Sequence, residues 1–347
     1  MIKMKLIQAE KLKKLCIQMF MKAGTPQEEA EIVVDNLVRT SLRGVDSHGV
    51  RAIPRYINNL KEGKIAPEAP IIVMKETLTT AMWDNNRGFG FVTGRKAMEA
   101  AIEKADKHGV GAVGTYNPQE GDDHIGALYY YAEMAALKGK IGIVTCSCHP
   151  GMAAWGGASK VIGVNPIAIA VPADKHPPIV WDIATSQAAV GHLSVMAMRG
   201  EPIPEGWILD KEGEPTTNPK DFFDGGALLP FGTYKGYGLA IIIDAITGGL
   251  GAGCSFDNKR YGHLFMAIDP SGFTTLQEYK SRVDRLIDYI KASKKRTGVK
   301  EIFVPGEIEF RTMEKRSKEG IPLDDPDWEA LSKTATELGI DVAKIVD

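Results

Sequence analysis

The residues in this chain best suited to chemistry are its histidines, a close pair of arginines and several glycine-rich stretches. His48 sits in the polar turn Asp46-Ser47-His48-Gly49 and is followed by Arg51, Arg55 and Tyr56. A helix starting near Val50 puts the arginines one turn apart, so one edge presents an imidazole, two guanidinium groups and a phenol. Imidazole exchanges a proton near neutral pH, and a guanidinium fork grips a carboxylate through two parallel hydrogen bonds. That set suits acid/base work on an oxygen next to a carboxylate, with a helix-capping histidine and solvated arginines as the structural alternative. His124 follows the acidic turn Glu120-Gly121-Asp122-Asp123 and opens a segment carrying Leu128 and Tyr131. A neighbouring carboxylate would orient its ring and raise its pKa, and the same residues would equally serve as a helix cap.

Cys146-Ser147-Cys148-His149 raises a zinc alternative, weakened because zinc cysteines are usually spaced by two to four residues and no second pair exists. A strand end with small side chains is the plainer reading. His108, His176 and His263 have no charged constellation beside them in the sequence and read as structural. Two glycine-rich stretches, Gly156-Gly157 to Gly163-Val164-Asn165-Pro166 and Gly232-Thr233-Tyr234-Lys235-Gly236-Tyr237-Gly238, allow close approach of backbone to a ligand. In the second, Lys235 stands where a helix begins, so ammonium and helix amino terminus could meet a phosphate together; an ordinary turn is the alternative. Gly109-Val110-Gly111-Ala112-Val113-Gly114 satisfies G-x-G-x-x-G, yet it follows a helix and opens a strand. That order is the reverse of a dinucleotide fingerprint, so these glycines read as a helix stop.

The elements that must position these groups follow from periodicity. Residues 7–23 and a segment after Thr25-Pro26-Gln27-Glu28, read as a capping box, predict two helices, and Val50 to Glu62 a third. Strands are expected at Ile71–Met74, Thr79–Trp83, Val110–Thr115, Ile141–Cys146, Ile167–Val171, Ile179–Asp182 and Leu264–Ile268. Helices are expected over Thr93–Lys107, Ile125–Leu137, Ala188–Met198, Gly236–Thr247, Leu276–Ala292 and Asp327–Leu338, with a strand at Ile302–Val304. Gly200–Pro230, rich in Pro, Gly and Asp, reads as a long excursion. The expected class is α/β (α+β): a mixed-sheet domain over 71–274 and a helical domain from 1–70 and 275–347.

With 347 residues, 44% hydrophobic and 25% charged, the chain is long enough for two cores. A net charge of −2 leaves no electrostatic footprint for nucleic acid. The start, Met-Ile-Lys-Met-Lys, runs into a charged amphipathic segment, no apolar run reaches membrane length, and four cysteines are too few for a disulfide framework. A cytoplasmic protein without membrane contact is the expectation.

Taken in order, Asp46-Ser47-His48-Gly49-Val50, His124-Ile125-Gly126, Gly163-Val164-Asn165-Pro166-Ile167-Ala168-Ile169-Ala170, Asp182-Ile183-Ala184-Thr185-Ser186, Pro215-Thr216-Thr217, Lys235-Gly236-Tyr237-Gly238 and Pro305-Gly306-Glu307 resemble the type 2 malate/L-lactate dehydrogenase family. That family also includes ureidoglycolate, sulfolactate and diketogulonate oxidoreductases and cyclic imino acid reductases. The resemblance implies a homodimer that binds NAD or NADP in a non-Rossmann mixed-sheet domain and acts on a small carboxylate. It gives His48 and His124 the proton-transfer positions. Cofactor contacts fall to Cys148, Asn165, Asp182, Ile183, Ala184, Thr185, Ser186, Lys235, Gly236, Gly306 and Glu307. The family's arginine four residues after the first histidine is here Ala52, which leaves the substrate carboxylate to Arg51, to Arg55, beside Tyr56, or to neither. The implied reaction is hydride transfer between nicotinamide and a 2-oxo or 2-hydroxy acid; the rivals are a cyclic ketimine reductase and a catalytically silent nucleotide-binding relative.

Overall fold

The computed structural model describes residues 4–117, 124–256 and 262–346. Strand β1 (Met4–Ile7) leads into α1 (Ala9–Lys22), whose Leu12, Leu15, Cys16, Met19 and Phe20 are all buried. Helix α2 (Gln27–Leu42) buries Ile32, Val33, Asn36, Leu37 and Thr40 as the spacing requires. Its expected capping box does not form. The capping position is Pro26, Thr25 Oγ1 is buried without a hydrogen-bond partner, and Glu28 and Glu29 supply the acidic first turn that the helix dipole favours. The third helix is also shorter than expected. Asp46–His48 and Val50–Ala52 are single 3-10 turns, and α3 (Ile53–Lys61) begins only where Pro54 can occupy its first turn.

Strands β2 (Ile72–Glu76) and β3 (Thr80–Asp84) precede α4 (Gly90–His108), β4 (Val110–Tyr116), α5 (Tyr129–Leu137) and β5 (Ile141–Ser147). Two short strands that periodicity missed, β6 (Pro150–Ala153) and β7 (Lys160–Gly163), come next, followed by β8 (Ile167–Val171), β9 (Ile179–Ile183) and α6 (Val190–Arg199). The Gly200–Pro230 excursion carries β10 (Ile208–Leu209), β11 (Pro215–Thr216), α7 (Lys220–Phe223) and β12 (Ala227–Leu228). These strands extend β6 and β7 into a five-stranded sheet of order β11-β10-β12-β6-β7. After α8 (Tyr234–Thr247) comes β13 (Gly262–Ile268), the centre of a seven-stranded mixed sheet ordered β2-β3-β4-β13-β5-β8-β9. Among the described residues, only β3 and β4 pair in parallel within it.

Register explains the main core. Val113, Phe265, Val144 and Ala168 face one another across β4, β13, β5 and β8, and all four are fully buried. Helices α4 and α5 cover that face. The G-x-G-x-x-G string serves this packing: Gly109 ends α4 at φ +83°, and a Cβ on Gly111 would sit 2.0 Å from the Ala101 carbonyl of α4. No helix begins there.

The chain closes with α9 (Leu276–Lys291), α10 (Glu307–Glu319), β14 (Ile321–Asp324), α11 (Asp325–Glu337) and the short α12 (Ala343–Val346). Ile302–Val304, expected as a strand, is irregular backbone leading into α10. β1 pairs antiparallel with β14, and one apolar core joins Ile7, Leu12 and Leu37 to Ile321, Leu323, Leu331 and Ala335. Both chain ends therefore share it. Among the described residues, no helix is long and apolar enough to cross a membrane.

Candidate active site

The His48 turn is held from three sides. Gly49 packs on α2 so closely that a Cβ there would lie 2.1 Å from Ser41 Oγ, and Ser41 Oγ accepts the Val50 N–H at 3.0 Å. From α10, Arg316 forks onto Asp46 at 2.6 and 3.0 Å, a two-point grip that fixes orientation as well as position. From α6, Gly191 leaves just enough room for Ser47, whose Cβ would stand 3.1 Å from an added methyl. Ser47 Oγ then meets His48 Nδ1 at 2.9 Å.

His124 comes up to the His48 turn from the loop ahead of α5. The helix expected from Ile125 starts four residues later, at Tyr129, because Gly126 adopts φ +74° with Phe91 and Asn36 packed against it. The acidic turn before His124 lies outside the described residues. The two imidazoles stack with centroids 5.7 Å apart and an interplanar angle of 24°. The Tyr56 hydroxyl lies 2.6 Å from His124 Nδ1, and the Gly126 N–H donates to the same nitrogen at 3.2 Å. An amide can only donate, so Nδ1 is the acceptor and the neutral ring carries its proton on Nε2.

Electrostatics keep both rings neutral. Burial holds His48 below its ordinary value, and the Arg55 charge pushes the same way. His124 is held well below, by burial first and then by His48, Arg55 and His263. Arg55 is exposed, its guanidinium 4.6 Å over the Tyr56 ring, so it stands beside the imidazole pair and open to solvent. Arg51 faces elsewhere. It pairs with Asp327 at 2.5 Å and lies 4.0 Å from Asp324, at the start of α11.

Asp182, on β9, is an exposed residue whose carboxyl group is turned against the amino end of α5. It accepts the Tyr129 N–H at 2.8 Å and so caps α5. Enclosure pushes its carboxyl up to about 6, while the α5 amide donors and the Arg43 charge pull the other way. Arg43 is itself clamped: Glu133 of α5, 3% exposed, takes Arg43 at 2.8 Å and Arg39 at 2.9 Å, tying α5 to α2.

The remaining predicted contacts gather along one path. The Thr185 N–H and Oγ1 both donate to the Val164 carbonyl, at 2.9 and 2.8 Å, beside Asn165. A Cβ on Gly236 would lie 2.8 Å from the Thr185 carbonyl, so Lys235-Gly236 abuts the Asp182–Ser186 segment, with the Lys235 side chain exposed at the amino end of α8. Gly306, at φ +89°, lies against Val180 of β9, where a Cβ would stand 3.0 Å from the carbonyl. Glu307 opens α10 and pairs with Lys291 at 2.6 Å. Lys235 at a helix amino terminus could meet a phosphate, whereas Gly236 and Gly306 are buried and serve close packing of the protein's own backbone. His176 differs from its sequence reading: its Nε2 lies 2.9 Å from Asp288 of α9. Sequence reasoning also passed over Asp46, Gly126, Gly191, Arg316, Asp324 and Asp327. Apart from Asp46 and Gly126, which lie within the quoted motifs, these are distant in sequence and carry no local signal.

The sequence pattern of malate/L-lactate dehydrogenase matches residues 7–332. A malate dehydrogenase of Pyrococcus abyssi is 39% identical over 349 residues, covering 96% of this chain and 95% of its own. The structure of sulfolactate dehydrogenase from Methanocaldococcus jannaschii superposes with a TM-score of 0.90 at 39% identity, covering 99% of this chain and 100% of that one. A malate dehydrogenase structure from Entamoeba histolytica gives a TM-score of 0.93 at 30% identity, covering 98% and 99%. The chain belongs to the malate/L-lactate dehydrogenase family.

Proposed function

We propose that this protein is a NAD(P)-dependent oxidoreductase acting on a small 2-hydroxy or 2-oxo acid. The observation that carries the reading is the stacked His48–His124 pair with Tyr56 and Arg55 at its edge. When bound, the nicotinamide would supply the carbon that takes or gives the hydride. Asp182–Ser186, Asn165, Lys235-Gly236 and Gly306-Glu307 would seat that cofactor without a Rossmann unit, with Cys148 beside Asn165.

Arg55 is the cation that grips the substrate carboxylate, because Arg51 already has carboxylate partners. The neutral imidazole of His48 accepts the hydroxyl proton during oxidation and, once protonated, returns it during reduction, while His124, its Nδ1 already taken by Tyr56 and Gly126 and its proton on Nε2, can only donate. Tyr56 holds His124 in one tautomer throughout.

The names of the relatives, malate and sulfolactate dehydrogenases, support a hydroxy acid substrate. An exposed apolar stripe on α8 and the turn after it, Ile241, Ile242, Ile246 and Leu250, supports the homodimer that the resemblance implies. A panel of 2-oxo acids and cyclic imino acids, each with NADH and NADPH, tests the proposal through loss of reduced-nicotinamide absorbance. Turnover of 2-oxo acids is expected. Turnover of imino acids alone would establish the ketimine reading instead, and cofactor binding without any turnover would establish the silent one.

A further inference from the structure

β5 ends by presenting Cys146 and Cys148 on one side, because alternate residues of an extended chain point the same way. Their Sγ atoms are 3.6 Å apart. Cys146 is buried in a row that runs from Thr115 through His263, paired across β4, β13 and β5. Cys148 is half-buried just beyond the strand end, its N–H donated to Asn165 Oδ1 at 2.9 Å. Residues two apart on a strand are separated by about 6.6 Å at Cα, inside the window of about 4.4 to 6.8 Å that a disulfide spans. The sulfurs need to close by about 1.5 Å to reach bonding distance.

The neighbours show what such closure would move. Asn165 is fully buried at φ +21°, and its Nδ2 donates to the Ala240 carbonyl of α8 at 3.0 Å. Val164, next to it, receives both hydrogen bonds from Thr185. A shift of the Cys148 backbone is therefore passed to Asn165 and on to the Asp182–Ser186 segment. The other two cysteines lie apart from this path. Cys16 is fully buried in the core of the chain ends, where burial raises its thiol and keeps it inert. Cys254 lies after α8, its sulfur near the Asp244 carbonyl.

We propose that Cys146 and Cys148 are a modification site, a dithiol that peroxide converts reversibly to a disulfide and that thereby weakens cofactor binding. Cys148, the more accessible, attacks hydrogen peroxide as thiolate, breaking the O–O bond to give a sulfenic acid and releasing hydroxide, which takes up the thiol proton as water. Cys146 then attacks the sulfenic sulfur; the S–S bond forms, the S–O bond breaks and a second water leaves. Two thiols are oxidised and one peroxide is reduced to two waters. The small ring makes the product strained and readily reduced, which suits a switch rather than a staple. The effect on cofactor rests on the proposed reading that the Asp182–Ser186 segment holds NAD(P); the disulfide itself does not.

The test treats the full-length protein with hydrogen peroxide, traps remaining thiols with N-ethylmaleimide and reads intact mass and peptides. The expected product has lost two hydrogens, carries both cysteines in one linked peptide and reverts with dithiothreitol. Its affinity for NADH, read by calorimetry, should fall about tenfold or more. Cys146→Ser, or Cys146→Ala if the serine variant fails to fold, should give no linked species and accumulate further oxidation at Cys148. A wild-type protein that goes directly to sulfinic acid at Cys148 with no linked species overturns the pair. A linked species with unchanged NADH affinity overturns its effect on cofactor binding. Failure of reduced protein to bind NADH or NADPH would count against the functional proposal and leaves the mass result standing.

Discussion

The Tyr56 hydroxyl and His124 Nδ1 lie 2.6 Å apart, and the Gly126 amide bonds the same nitrogen. Tyr56 therefore donates to an unprotonated nitrogen and stabilises the neutral ring. Tyr56→Phe removes that donor and should raise the His124 pKa. The acid limb of kcat/KM for hydroxy acid oxidation then moves to higher pH, with kcat lowered by about 10- to 100-fold. An unmoved limb would mean that His124 does not set it.

Arg55 acts on the same pair through charge. Both histidines are held below the ordinary value, so in the wild type the acid limb for oxidation should lie below about pH 6.5. Arg55→Gln removes a positive charge that opposes protonation, so the limb shifts upward. It also removes the proposed carboxylate clamp, and KM for the acid should rise by about 10- to 100-fold, the worth of a charged hydrogen bond. Steady-state kinetics against pH read both effects at once.

Arg51 should behave differently. It ties the turn after His48 to Asp327 and Asp324, and Arg199 at the end of α6 reaches the same Asp324 at 3.7 Å. α6 begins against Ser47, so this cluster is placed to fix the His48 turn. Arg51→Ala and Asp327→Asn should each lower kcat with little change in KM, and the double variant should be no worse than either single one. A large rise in KM confined to Arg51→Ala would instead make Arg51 a substrate ligand.

His263 is 4% exposed beside Thr115, and burial lowers its pKa to about 3. An unfolded histidine titrates near 6.5, so between those values the unfolded chain binds the additional proton. The stabilisation from the neutral ring is complete above about pH 6.5 and is lost as pH falls toward about 3. His263→Gln should flatten that fall, read as urea midpoints across the acid range. An unchanged slope would assign acid sensitivity to other groups.

Gly126→Ala tests the loop that carries His124. The added Cβ meets the Phe91 ring at 2.6 Å and Asn36 Oδ1 at 2.8 Å, at φ +74°. A loss of about 1–3 kcal/mol in stability is expected, with a larger loss of turnover than of cofactor binding. Equal losses of both would indicate general unfolding.

Much of this architecture is written locally. The apolar spacing of α1 and α2 and the strand patterns of β4, β5, β8 and β13 all correspond to elements of the fold. α10 escaped because no residue of Glu307–Glu319 is buried, leaving no apolar period to read. β1 is exposed at three of four positions and depends on a partner more than 300 residues away, so its pairing with β14 carries no local signal. In the site, His48, His124, Arg55 and Tyr56 were legible as residue types in suggestive places. The fork from Arg316 to Asp46 and the diversion of Arg51 to Asp327 were not, because both depend on which distant carboxylate a flexible cation meets once the chain ends pack together.

The most direct measurement follows the hydride itself. NADH or NADPH deuterated at the transferring C4 position is incubated with the protein and a 2-oxo acid, and the hydroxy acid product is analysed by mass spectrometry. The account predicts one deuterium at C2 of the product, none lost to water, and turnover reduced by about 10²- to 10⁴-fold when the proton-transferring histidine is replaced by glutamine. Cofactor that stays reduced with every acid tested, or product without deuterium at C2, would contradict it.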